Sequence, residues 1–290
     1  MEFSFAGIYY PIIALLCAMI FMGWFAAAFP EHPILFVAKR WLRLCFFTAA
    51  IGVFLEALLP GHPLWSRLAI AALAYVFVES LLYWLQIWIM SCSQYDIFAP
   101  YKEVETAWSA QKKHILIKNA ILGLGFVKSG SFKSEPIEGI EIMSTYFDSP
   151  DRLVRLGVAF IPYAGISLMA SNVISITKDG KSILTEASSS PSGLPYPENC
   201  LVRRHPLVGS PLKLIDMHLK RVKDMQLQPI SYSTSEMLKL QLAEFKKSAV
   251  EGGFVYPDPI GDDGETLTPE GKYRVWVDTI FVNYLPFLIK

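Results

Sequence analysis

Hydrophobic positions crowd the first third of the chain and thin abruptly near residue 91. The run from Gly7 to Phe29, GIYYPIIALLCAMIFMGWFAAAF, contains no charge. A bilayer core of roughly 30 Å takes about 20 helical residues, so the run predicts a spanning helix. A secretory leader would show a basic start and a shorter apolar core, whereas this chain reads Met1-Glu2-Phe3-Ser4-Phe5. A second run, Leu44 to Leu59, is short for a span and contains Glu56; Pro60-Gly61-His62-Pro63 then forces a turn. The third run, Leu68 to Met90, is long enough despite Glu79 and gathers Tyr83, Trp84 and Trp88 in its last turns. Aromatic side chains collect at that level of a membrane–water boundary.

Beyond residue 91 the period changes. Val104, Trp108, Ile115 and Leu122 fall on one helical stripe, which predicts a helix from Tyr101 to Leu122 ended by Gly123 and Gly125. Phe126–Lys133, Ile140–Phe147, Leu153–Ile161 and Ile166–Thr177 are β-branched and aromatic, with Gly, Pro, Asp and Ser between them. That is the pattern of an antiparallel meander. Lys178-Asp179-Gly180-Lys181 predicts a type I′ hairpin turn into a returning strand, Ser182–Ala187. Ser188 to Asn199 is too proline-rich for regular structure. Ser210-Pro211 starts a helix carrying Leu212, Ile215, Leu219 and Val222, with the serine hydroxyl as the expected cap. A further helix is expected over Thr234–Val250, a hairpin over Phe254–Leu267, and a last helix from Thr268-Pro269.

The expected architecture is therefore a membrane-anchored α+β protein. Residues 1–91 form an N-terminal bundle of about three transmembrane helices, at 7–29, 44–59 and 68–90. Residues 92–125 form a connector and juxtamembrane helix, 126–230 a soluble α+β domain built on the meander, and 231–290 a helix–hairpin–helix segment of winged-helix-like order. The basic residues Lys39, Arg40 and Arg43 follow the first apolar run, and Arg67 alone follows the second. The positive side faces the cytoplasm, which puts the N-terminus outside and the large domain in the cytoplasm, at the inner membrane if the cell is bacterial. Lys102, Lys112 and Lys113 agree.

Composition supports this division. The apolar fraction of 53% exceeds the 45–50% usual for soluble chains, and the mean hydropathy is +0.37. The 26 basic residues balance the 26 acidic ones, which argues against nucleic acid as a partner, since that binding needs a positive field. Cys17, Cys45, Cys92 and Cys200 have neither zinc-ligand nor disulfide-framework spacing.

Two carboxylates, Glu56 and Glu79, lie inside apolar runs. An intramembrane ionisable group costs at least about 2.5 kcal/mol, so each calls for a partner or a role in a pathway. Glu56 is near enough to a helix end to reach the headgroups, and Glu79 is nearer mid-span. Arg203, Arg204, Lys213, Lys220, Arg221 and Lys223 form a basic stretch with His205 and His218, diluted by Asp216 and Asp224. It is either an ordinary solvated helix face or a contact for anionic lipid.

Asp216 and His218 stand two apart on a helix, so they point to different faces, and no G-x-S-x-G elbow supplies a nucleophile. Gly123-Leu124-Gly125 follows a helix and lacks a third glycine, so it fails the dinucleotide fingerprint. Asp258, Asp262, Asp263 and Glu265 lack the alternation of a calcium loop. No catalytic set, metal site or cofactor is expected. The leading expectation is an accessory protein that binds the bilayer and another protein or itself. The alternatives are a membrane-bound enzyme acting on a lipid or peptide through His205, His218 and the Ser/Pro loop at the membrane surface, and an oligomeric channel or transporter subunit using Glu79. A membrane-tethered transcription regulator rests only on the winged-helix-like order.

Overall fold

A computed structural model describes residues 5–29, 32–58, 60–91, 96–137, 139–163, 166–187, 193–260 and 265–289. The chain divides into two compact units, Met1–Gln86 and Ile87–Lys290. It is a mixed α+β protein with a mostly antiparallel sheet.

The first unit is built from α1 (Phe5–Ala28), α2 (Pro33–Leu58) and all but the last five residues of α3 (Leu64–Ser91). Among the described helices, α3 alone is long and apolar enough, by length and composition, to cross a membrane. The second helix begins at Pro33, well before Leu44, so Lys39, Arg40 and Arg43 are helical and not in a loop. Proline at the first helical position and the apolar Ile34–Val37 start that helix early. Gly52 lets α2 approach α3: a Cβ there would stand 2.6 Å from Leu68 Cδ2. Phe47 stacks on Tyr75 across the same pair, with centroids 5.8 Å apart.

In the second unit one sheet runs β1 (Lys102–Glu103), β2 (Val127–Ile137), β3 (Ile140–Asp148), β4 (Arg155–Tyr163), β5 (Ile166–Thr177), β6 (Ser182–Ala187) and β7 (Cys200–Arg204), each beside the next. β8 (Leu227–Gln228) pairs with the end of β5. Side chains alternate across the pleat. One face presents Leu156, Val158 and Phe160 to Ile121 of α4 (Lys112–Gly123) and to Leu214 and Ile215 of α5 (Pro211–Val222). The other presents Phe132, Tyr146, Ile174 and Leu184 to Met237 and Leu238 of α6 (Thr234–Glu251). β9 (Val255–Ile260) and β10 (Glu265–Leu267) make a separate hairpin before α7 (Pro269–Tyr284).

Several local expectations change. The helix foreseen from Tyr101 starts only at Lys112. Residues 102–103 pair with Phe132 and Lys133 instead, and Trp108 packs edge-on against Phe147 and Phe160. Its indole donates to the His114 carbonyl at 3.0 Å, which ties the extended segment to the helix that follows. The turn after β5 has a positive φ at Gly180 alone, 82°. A type I′ turn needs two such residues. Asp179 keeps a negative φ, and the Thr177 hydroxyl two residues back donates to its carboxylate. Ser210 precedes α5 without a side-chain cap bond; the full capping box is at Ser233 and Glu236 of α6. The strand β7, not expected from sequence, lies parallel to β6. Within the proline-rich loop residues 188–192, and within the hairpin the Gly261–Gly264 turn, lie outside the described residues, as do residues 92–95 of the connector.

Candidate functional site

In an antiparallel helix pair, residues equally distant from the turn face each other, and the α2–α3 hairpin uses this to pair its charges. Arg43 of α2 bonds Glu79 of α3. The Arg43 Nε also donates to the Tyr75 hydroxyl at 2.8 Å. Tyr83 donates its hydroxyl to the same Glu79 oxygen at 2.8 Å, and Arg40 in turn donates to Tyr83. The Arg40 guanidinium lies 5.9 Å from the Tyr83 ring centroid, within cation–π range. The result is a chain of polar groups, Arg40–Tyr83–Glu79–Arg43–Tyr75, centred on one carboxylate. Toward the turn, Arg67 meets Glu56 at 2.9 Å, with the arginine buried and the carboxylate half exposed.

Both carboxylates singled out from the sequence are thus engaged by arginines of the neighbouring helix. The two tyrosines and the role of Arg43 were missed. The signal was present, because Arg43 and Glu79, like Glu56 and Arg67, stand nearly equidistant from the Pro60–Pro63 turn.

The basic stretch comes apart in three dimensions. Arg204 is buried, donating to Glu186 at 3.0 Å and to Asp278 of α7 at 2.8 Å. Burial pushes the Glu186 carboxyl above its ordinary pKa in spite of the arginine beside it. Arg221 turns inward to the carbonyls of Leu184 at 2.6 Å and Leu201 at 2.9 Å, and so fastens α5 to β6 and β7. Lys220 pairs with Asp216 one turn away. Arg203, Lys213 and Lys223 remain exposed.

No family, curated protein or solved structure matches this chain.

His218 looks chemical at first sight. Its Nε2 is 2.9 Å from Ser175 Oγ and its Nδ1 is 2.8 Å from Thr185 Oγ1. The imidazole is fully buried, however, so no substrate reaches the serine. Burial first, then the Arg221 charge, push its pKa from 6.5 down to about 4. The neutral ring bridges β5 and β6 to α5 as a structural strut. Because the folded pKa lies below the unfolded one, this group's contribution is complete above about pH 6.5 and is lost as the pH falls toward 4. The shift corresponds to about 3 kcal/mol. Replacing His218 with glutamine is expected to flatten the acid limb of a stability-versus-pH curve; a curve of unchanged slope between pH 6.5 and 4 would refute the assignment. His205 lies elsewhere, at the end of β7 near Arg203 and Arg221, and burial followed by those charges lowers its pKa.

Among the described residues no group of three acidic, histidine or cysteine side chains is arranged to hold a metal. Lys272 of the last helix is buried and Arg274 pairs with Glu270, so neither presents a free basic face.

Proposed function

We propose that this chain is an integral membrane protein in which α1, α2 and α3 all cross the bilayer and carry a cytoplasmic α+β domain that binds a second protein or another copy of the chain. One observation carries the membrane reading: in the first unit many large apolar side chains face outward while Glu79 and Arg67 are buried and paired with charges of the neighbouring helix. Tyr10, Trp24, Phe54, Trp65, Leu73 and Phe77 are each more than two-thirds exposed, whereas Glu79 is satisfied between helices. In water this arrangement leaves a large apolar surface uncovered; in lipid it is the low-energy one. The helices of 24, 26 and 28 residues are each longer than the roughly 20 residues a span needs.

Orientation follows from Lys39, Arg40 and Arg43 at one end of the hairpin. The only arginine near the other end, Arg67, is neutralised by Glu56. That asymmetry favours the first end, and with it the C-terminal domain, on the cytoplasmic side. The interaction role is supported by the lack of an open catalytic constellation around His218 and by the neutral balance of the chain. A channel built on Glu79 is disfavoured, because Arg43 and Tyr83 already engage that carboxylate.

The reading predicts that the protein stays with membranes through alkaline carbonate washing and that a reporter fused after Lys290 is active only in the cytoplasm. Release by carbonate would end the membrane reading, and an external reporter would invert the topology. In mild detergent the particle is expected to be larger than one chain of 32.6 kDa plus its micelle. A strictly monomeric, partnerless particle would reject the interaction role.

A further inference from the structure

The cytoplasmic half of the proposed α2–α3 hairpin holds more positive charge than its carboxylate can neutralise. Glu79 is matched by Arg43. Arg40 has the neutral hydroxyl and ring of Tyr83 as its partner. Lys39 is exposed, and its stem runs past Gly23 of α1, where a Cβ would stand 3.9 Å from the lysine Cε. Among the described residues no carboxylate pairs with Lys39 or Arg40. Among the described residues two cations are therefore left over on the N-terminal part of α2, within about 15 Å along the axis of its start at Pro33. Near a bilayer such charges attract the anionic groups of the cytoplasmic leaflet, and basic pockets between transmembrane helices bind phosphorylated headgroups. The other end of the hairpin has no such excess, because Arg67 is paired with Glu56.

We propose that Lys39 and Arg40, with Arg43 behind them, seat the phosphate of an acidic phospholipid on the cytoplasmic side of the helix bundle. The inference rests on the membrane reading above and adds the ligand to it. Tyr83 holds the Arg40 guanidinium in place, which leaves its remaining N–H groups for two phosphate oxygens in the paired geometry that arginine favours. Lys39, the preceding residue of α2, adds a second positive charge at the same level along the helix axis.

The full chain, reconstituted in phosphatidylcholine vesicles containing a minor share of phosphatidylglycerol, is floated, re-extracted and weighed with its retained lipids by native mass spectrometry. Wild type is expected to retain phosphatidylglycerol roughly tenfold above its bulk share. Lys39→Gln with Arg40→Gln should fall to the bulk ratio, and Lys39→Arg with Arg40→Lys should keep most of the enrichment. Arg203→Gln with Lys213→Gln, in the other unit, should change nothing. A chain that floats but retains both lipids in bulk proportion, or a glutamine variant that floats and enriches like wild type, overturns the lipid site alone. A chain that does not float overturns the membrane reading and this inference with it.

Discussion

Arg155→Ala is expected to destabilise the α+β domain by about 3–5 kcal/mol, the largest effect of any single substitution in that unit. Arg155 of β4 is almost fully enclosed, and it grips Asp148 of β3 with two bonds, Nε to Oδ1 at 2.6 Å and Nη2 to Oδ2 at 2.9 Å. A third bond reaches the Tyr232 carbonyl at 3.2 Å, just before α6. The Met237 sulfur of that helix lies 3.4 Å from Nη1. The guanidinium therefore joins two strands to the helix above them. Removing it leaves the Asp148 carboxylate without its cation and opens a large cavity, and both terms have the same sign. The pair as a whole is worth much less than its breakage costs, since both ions give up hydration to enter the fold. Asp148→Leu combined with Arg155→Met should therefore recover most of the lost stability. Thermal denaturation of the full chain in detergent, followed by near-ultraviolet circular dichroism, reads both results. A single variant that melts within a degree of wild type would show that the pair does not clamp the sheet.

The second large effect is expected in the helix hairpin. On the proposed membrane reading, Glu79→Ala leaves Arg43 without its carboxylate and takes from the Tyr83 hydroxyl the oxygen it donates to. An uncompensated charge costs up to about 2.5–3.5 kcal/mol at the centre of a spanning helix on insertion scales, and less toward its end. The yield of folded, membrane-inserted protein should drop several-fold, as measured by fluorescence-detected size exclusion. Arg43→Ala with Glu79→Ala should do better than Glu79→Ala alone, because no charge is then left over. Glu79→Gln should be intermediate, since the amide can still accept from Tyr83. If the double variant were no better than the single one, electrostatic pairing would not be the reason for Glu79.

How much of this was legible beforehand differs from element to element. The strands β3, β4, β5 and β6 follow their β-branched and aromatic runs closely, because such runs and the Gly, Pro, Asp and Ser residues between them are written in neighbouring residues. The early part of the connector was misread because Val104 and Trp108, four apart, fit a helical stripe. Trp108 is instead anchored by the aromatic pair Phe147 and Phe160, which belong to distant strands. The strand β7 was hidden for a related reason. Arg203 and Arg204 read as the start of a basic stretch until Glu186 and Asp278 are known to pair with Arg204. In the candidate site Glu56 and Glu79 stood out at once, since a carboxylate in an apolar run is conspicuous. Their arginines did not, because Arg43 was read with a loop.

The linear order of residues by itself determined where the chain is oily and where it is polar, and which stretches coil or extend. Transfer of a side chain out of water and the period of a helix or strand are properties of the residues nearby. Only the tertiary structure decided which charge meets which. It sent Arg204, Arg155 and Arg221 inward, left Arg203 and Lys213 outside, and matched Glu79 to Arg43 while leaving Lys39 and Arg40 over. Hydrogen bonds need contact distance and Coulomb energy weakens with separation, so both depend on neighbours in space that the folded chain alone brings together.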